Sequence, residues 1–379
     1  MNSKRRLMIG FPRMKQEAGE KRVFLPEFVE QMTWLGFEVC IEEGYGARLG
    51  FSKDIYVQGN PWVHICSHEE CYGQDVVLVL RSPKLEEFDL VKQGACLISM
   101  LHYPTRPIRV KMLKKRGIRA ISLDGIVDDK NIRLVENMKA VAWNGLEAAF
   151  DVLEERFGSL KHPDGRLWKT LVLGSGMVGK HAVDAAIKLG NTERYQENLK
   201  EGVGQAMVRV VGRSVSSDPK LMQDLLRKTD ILVDATYRRD ASKPVVPNAW
   251  IKWLPEHAVL VDLAVDPYTL DEKSPVVRGI EGIPNGNLDQ YVFHTDDPGW
   301  SESIPDGIPT KERRSVVSCY SWPGIHPEAC MRHYGRQLLP LMEVLAETDY
   351  DDLSPEGNYF QRALYRATLR GYLNAISER

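Results

Sequence analysis

The sequence carries almost no excess of charge: 50 Lys and Arg stand against 52 Asp and Glu, a formal net charge of −2 over 379 residues. Nor does it contain a block of five or more like charges. A nucleic-acid or anionic-lipid partner draws its affinity from clustered cations, so no nucleic acid and no membrane surface is expected as a partner. No apolar run approaches the roughly 18 residues that cross a bilayer. Lys4-Arg5-Arg6 followed by Leu7 to Phe11 is too short for a signal-peptide core, and a cytoplasmic protein is expected. Cysteine is sparse: Cys40, Cys66, Cys71, Cys96, Cys319 and Cys330, without a C-x-x-C spacing. That usage predicts reduced, mostly buried thiols and a fold not held by disulfides. Internal repeats and low-complexity tracts are also missing.

What is present is alternation. The β-rich runs Leu7–Phe11, Val76–Leu80, Leu97–Leu101, Thr170–Leu173, Val208–Val211, Ile231–Val233 and Val259–Val265 are separated by helical stretches. Such a pattern predicts an α/β fold with parallel sheets and helices on both faces. Val76–Leu80 (VVLVL) is apolar at every position, as suits a strand covered on both sides. The length suffices for two domains. Residues 137–158 read as one long amphipathic helix, with Val141, Leu146, Ala149, Phe150 and Leu153 near helical spacing. The domain boundary is placed at that helix, because a new strand and a new motif follow it. Residues 279–314 are rich in Gly, Pro and Asp and predict a long irregular excursion, a substrate lid or a plain surface loop.

The new motif is a strand running into Gly174-Ser175-Gly176-Met177-Val178-Gly179, then a helix with Val183, Ala186 and Ile187 on its apolar face. Inside a strand-turn-helix, G-x-G-x-x-G is a dinucleotide-binding signature. The first glycine makes the tight turn, the second lets backbone approach a pyrophosphate, and the third allows close helix–strand packing. The helix N-terminus then offers free N–H groups to the phosphates. The next strand ends in Gly212-Arg213-Ser214 instead of an acidic residue. A guanidinium forks onto a 2′-phosphate that a carboxylate would repel, so NADP(H) is favoured over NAD(H). Glu197, inside a polar insertion at 192–205, lies nearer the usual spacing for a ribose-binding acid. Two more strands of this domain end in polar residues, at Thr236 and at Asp266, where open α/β sheets bind ligands. Asp266 precedes Pro267 and could equally cap a turn.

Ahead of this domain stand GEKRVFLP (19–26), LRSPKLEEF (80–88) and SMLHYP (99–104). Taken with LVLGSGMVG and LVDLAVD, their order over residues 5–345 resembles the group of alanine dehydrogenase, lysine-forming saccharopine dehydrogenase, N5-(carboxyethyl)ornithine synthase and the NAD-binding transhydrogenase subunit. The resemblance implies two Rossmann-like domains, with a nucleotide domain (137–323) inserted into a discontinuous catalytic domain (1–136 with 324–379) and the active site in the cleft. It implies that Arg22 holds the substrate carboxylate, that His102 serves acid–base chemistry and that Asp266 lies near the nicotinamide. Where the family commonly has a catalytic lysine, this chain has Arg81, which stays protonated and cannot act as a base. Arg81 is expected to bind a carboxylate, with Lys84 three residues on as a substitute amine. Ser321 and Trp322 replace the late asparagine-methionine segment of alanine dehydrogenase, with Trp322 expected at the pocket beside the cofactor.

The resulting expectation is an NAD(P)H-dependent amino-acid dehydrogenase or imine reductase of the opine type, taking a 2-oxo acid and an amine or amino acid. Its alternatives are ammonia-dependent alanine dehydrogenase and a dinucleotide-binding sensor without turnover; a homo-oligomer is left open. His64-x-Cys66-x-His68-x-x-Cys71 has the look of a metal cluster, but Ser67 to Glu70 also reads as a helix cap and first turn, and no metal is expected. Arg362, Arg366 and Arg370, spaced by four, are expected on a solvated helix face.

Overall fold

A computed structural model of the chain describes residues 6–15, 17–270 and 275–377. It divides into two compact units, Met1–Asn137 with His326–Arg379, and Met138–Ile325. The nucleotide motif lies in the second, continuous unit.

The first unit is built on six strands: β1 (Met8–Phe11), β2 (Glu38–Glu42), β3 (Val63–Cys66), β4 (Val76–Arg81), β5 (Cys96–Met100) and β6 (Arg119–Ser122). They pair in parallel in the order β3-β2-β1-β4-β5-β6. The run VVLVL of β4 is buried at every position, since helices cover both faces of a central parallel strand. Helices Pro327–Glu347 and Tyr359–Ala367, which follow the second unit in the chain, close this core, bringing Met331, Leu338, Leu341, Leu364 and Ala367 against Ile9, Phe28 and Ile98. The order of strands reverses between β1 and β4, and their C-terminal ends make the crevice where such sheets bind ligands.

The second unit contains β7 (Lys169–Leu173), β8 (Met207–Val211), β9 (Ile231–Asp234), β10 (Val259–Asp262), β11 (Val292–Phe293) and β12 (Ser315–Ser318), ordered β11-β12-β10-β9-β7-β8. Only β11 runs antiparallel. The helix Met138–Phe157 buries Leu146, Ala149, Phe150 and Leu153 of the face read from the sequence, with Ala142 buried beside a half-buried Val141. Gly145 allows it to sit tight on the sheet, since a Cβ there would lie 2.5 Å from Leu263. Here the order reverses between β7 and β9.

Three expectations are corrected by the fold. Cys40 and Cys66 are bridged, and the other four cysteines are buried thiols outside any disulfide. β2 and β3 are neighbours, and although their register pairs Cys40 with His64 and Cys66 with Glu42, the Cα atoms of the two cysteines stand 5.8 Å apart, within disulfide reach. Second, residues 279–314 are irregular over most of their length, as expected, but they are no plain surface loop, because Ile280, Ile283, Phe293 and Trp300 join the core and the Trp300 indole N–H donates to His294 O at 2.6 Å. Third, the arginine ridge is a set of tethers. Arg362 and Arg366 both pair with Asp129, and Arg370 donates to the Asp351 and Leu353 carbonyls.

Candidate functional site

The candidate nucleotide site of the second unit lies at the C-terminal ends of β7, β8 and β9. Gly174 adopts φ +98°, and a Cβ on it would stand 2.6 Å from Ala235 O, just past β9. A Cβ on Gly179 would stand 2.3 Å from Gly174 O, so helix Met177–Ile187 could not seat against the turn. Gly176 has nothing within 4 Å, and Ser175, Gly176 and Met177 are exposed beside a half-buried Val178. No side chain caps that helix at Gly176. A tight turn, an open approach at the second glycine and uncapped N–H groups fit a pyrophosphate.

β8 ends at Val211, and Gly212-Arg213-Ser214 follow it on the surface. The Arg213 guanidinium has no hydrogen bond or ion pair among the described residues. Glu197 sits instead within the helix Thr192–Lys200, away from the end of β8. At the end of β9, Asp234 Oδ1 accepts from Thr236 N at 3.0 Å and Thr236 Oγ1 at 2.7 Å, while its Oδ2 is buried without a partner. Burial, reinforced by the charge of Asp262, pushes the Asp234 carboxyl up to about 7.

β10 is shorter than the sequence suggests, because the chain turns after Asp262 through Val265, a β-branched residue held at φ 51°. Its N–H donates to Asp262 Oδ1 at 2.9 Å. Backbone strain of this kind gathers at ligand sites. Asp266 follows directly and is held at 2.7 Å by Arg238 Nη2, whose side chain is itself buried. Trp322 is not at an open pocket but in the core, 1% exposed, its indole N–H donating to Asp262 O at 2.8 Å. A ring of that size beside Gly145 fills the space under β10, so it supports the Asp262–Asp266 turn from behind.

In the first unit, a separate set of candidate residues lies at the C-terminal ends of β4, β5 and β6. Arg22 is buried and forked onto Glu20, through Nε to Oε1 at 2.8 Å and Nη2 to Oε2. Its Nη2 also lies 3.7 Å from Glu17, and Glu17 takes Arg81 Nη2 at 2.6 Å. Glu20, Arg22, Glu17 and Arg81 thus form one alternating chain of charge. Arg81 is its outermost member, with a side chain 36% exposed. Lys84 lies exposed just beyond, its backbone N–H donating to Glu87 at 2.6 Å.

His102 follows β5 at φ 52°, a left-handed conformation that turns its half-exposed ring away from the strand. Its Nδ1 stands 3.2 Å from Asp124 Oδ2 and its backbone N–H donates to Asp124 Oδ1 at 3.1 Å. Asp124, at the end of β6, also accepts from Ser122 Oγ at 2.6 Å. These hydrogen bonds outweigh burial and hold the Asp124 carboxyl well below the usual carboxylate range. A carboxylate on Nδ1 fixes the ring so that Nε2 is the nitrogen presented outward. Asp124, Glu17, Glu20 and Arg238 were missed in the sequence. Of these, only Glu20, two residues from Arg22 in GEKR, carried a local signal.

The paper metal cluster is dispersed: His64 goes to Glu38 at 2.8 Å, His68 to Glu42 and Glu87, and Cys66 to Cys40. His162, Asp230 and His257 also converge, but Asp230 is committed to an Arg166 fork at 2.6 and 2.7 Å.

Two family models match the chain, the N-terminal domain of alanine dehydrogenase/PNT over residues 11–142 and its C-terminal domain over 154–269. The chain belongs to the alanine dehydrogenase/PNT family. Within that family it is an NAD(P)-dependent oxidoreductase. It is 24% identical over 303 residues to alanine dehydrogenase of Bacillus subtilis (strain 168), covering 76% of this chain and 77% of that protein. Alanine dehydrogenase 1 of Staphylococcus aureus (strain NCTC 8325 / PS 47) is 23% identical over 337 residues, 76% of this chain and 87% of its own. Among solved structures an L-alanine dehydrogenase superposes with a TM-score of 0.70 at 21% identity, covering 96% of this chain and 94% of that one. A transhydrogenase from Sinorhizobium meliloti gives 0.61 at 16% identity, covering 94% and 97%. These likenesses carry the fold.

Proposed function

We propose that the protein catalyses reductive amination of a 2-oxo acid through its imine, and the reverse oxidation of the amine. The observation that carries this reading is the His102–Asp124 pair at the end of β5, the strand whose Met100 is in register with the partly exposed Arg81 of β4. A bound nicotinamide dinucleotide supplies or accepts the hydride. Arg81 offers its exposed edge to the substrate carboxylate, and Arg22, through Glu17 and Glu20, fixes where Arg81 sits. His102 Nε2 moves the proton on the substrate oxygen or nitrogen, while Asp124 stabilises the imidazolium that forms. Asp266, steered by Arg238, is the carboxylate assigned to the nicotinamide side. NADP(H) is the favoured form, supported by the unpaired Arg213 with Ser214 beside it.

Ammonia as the amine is supported by the alanine dehydrogenase relatives. A second reading, with an amino acid as the amine in the opine manner, is favoured by Arg81 itself, since an arginine in place of a lysine binds but does not exchange protons. The test is oxidation of NADPH and NADH at 340 nm with 2-oxo acids, with ammonia or an amino acid as the amine. Turnover that needs both oxo acid and amine is expected. Dinucleotide binding with no turnover for any pair sinks the proposal.

A further inference from the structure

We propose that Arg106 and Arg109 bind a second carboxylate of the substrate, one beyond the carboxylate next to the oxo group. This rests on the reductive-amination reading of the same site and names what that site selects. The two arginines stand at the start of helix Pro107–Arg116, a few residues after His102. Arg109 reaches back to the end of β5, where its Nη1 donates to Leu101 O at 2.7 Å, the carbonyl immediately before His102. That is its one hydrogen bond among the described residues, and its Nε is buried with no partner. Arg106 donates only to the neighbouring Thr105 O, at 3.2 Å.

Neither arginine forms an ion pair among the described residues. By contrast Arg22, Arg81, Arg362 and Arg366 of the same unit each face a carboxylate. Burial and the like charges of Arg106 and Arg81 push Arg109 below the ordinary guanidinium range. The nearby acid, Asp124, is already engaged by His102 and Ser122. A half-buried guanidinium at Arg109, with an exposed one at Arg106 close enough to repel it and donors unspent on both, calls for an anion with forked acceptors, and a carboxylate has that shape. The carboxylate has two chemical sources: the distal end of a 2-oxo dicarboxylic acid, or the carboxylate of an amino acid serving as the amine.

The experiment compares kcat/KM for pyruvate with ammonia, 2-oxoglutarate with ammonia, and pyruvate with L-ornithine. It uses the full chain and its Arg106→Ala, Arg109→Gln and Arg109→Lys variants, with calorimetric titration of glutarate and acetate alongside. One of the two pairs bearing a second carboxylate is expected to exceed pyruvate with ammonia by about tenfold or more, and the identity of that pair names the source. That preference is expected to collapse in Arg109→Gln, to weaken in Arg106→Ala and to persist partly in Arg109→Lys. Arg106 is exposed and touches only its neighbour, so its variant stands even if Arg109→Gln misfolds. Equal or better turnover of pyruvate with ammonia overturns the subsite and leaves the reaction intact. If no pair turns over, the reaction reading fails. The subsite then stands if glutarate binds, acetate does not, and the variants lose it; it falls if glutarate does not bind.

Discussion

His102 and Asp124 divide one task. The histidine contacts substrate in the proposed reaction, and the aspartate acts on it only through Nδ1. Replacing His102 by Ala is expected to cut kcat by about 10²- to 10⁴-fold. Asp124→Asn, which keeps the shape but offers Nδ1 no full charge, is expected to cost less, about tenfold to a hundredfold. In both variants the affinity for dinucleotide, read by nucleotide fluorescence titration, should stay within error of the parent. A loss of nucleotide binding along with the rate would mean that the turn after β5 is structural.

Asp234 is a second residue with a measurable signature. Its folded carboxyl is raised above its unfolded value, so the native state holds the extra proton. Stability from this group is therefore full below about 4 and is lost as pH rises through about 7. Asp234→Asn keeps the acceptor for Thr236 and removes the buried charge. Thermal unfolding should show the variant gaining on the parent at pH 8 by at least about 3 °C, with little gain at pH 4 to 5. An unchanged difference across that range would place the proton elsewhere.

At the scale of elements, strand ends decide what is bound. Arg213, first past β8, is the residue on which the choice of cofactor turns. Arg213→Asp is expected to lower the NADPH over NADH ratio of kcat/KM by about a hundredfold, since a forked pair is replaced by a repulsion. Steady-state kinetics with both cofactors would read this, and a parent enzyme already preferring NADH would remove the role given to Arg213.

How much of these elements could be read beforehand depended on their apolar run. β4, β7, β9 and β10 announce themselves by unbroken Val, Leu and Ile. β2 (EVCIE), β3 (VHIC), β6 (RAIS) and β12 (SVVS) are four or five residues with polar members, too short for a period to show. The glycine turn was legible because each glycine answers a steric demand within a few residues. Asp124 was not, because the parallel pairing of β5 with β6 brings it to His102 across 22 residues. The same holds for Trp322, whose environment is set by Gly145 and β10, neither of which is near it in sequence.

For the whole molecule, the Cys40–Cys66 bridge closes a separation of 26 residues in one unit only. By chain-entropy reasoning it stabilises that unit by about 3 kcal/mol. Reduction with dithiothreitol, or Cys66→Ser, is expected to lower the unfolding temperature of the first unit in calorimetry while the transition of the nucleotide unit stays in place. No shift on complete reduction, checked by thiol titration, would mean that the paired strands hold without it.

The first unit takes its core from both sides of the second: Ile9, Phe28 and Ile98 come early in the chain, Met331, Leu338 and Leu364 late. During synthesis, therefore, the ribosome has delivered every residue of the nucleotide unit before the first unit has its closing helices. The six parallel strands of the first sheet must wait, with one face covered only in part by the early helix Pro26–Trp34, for as long as the intervening residues take to be translated. The growing polypeptide thus exposes an apolar surface that a chaperone could hold, and slow codons between the two halves would lengthen that wait.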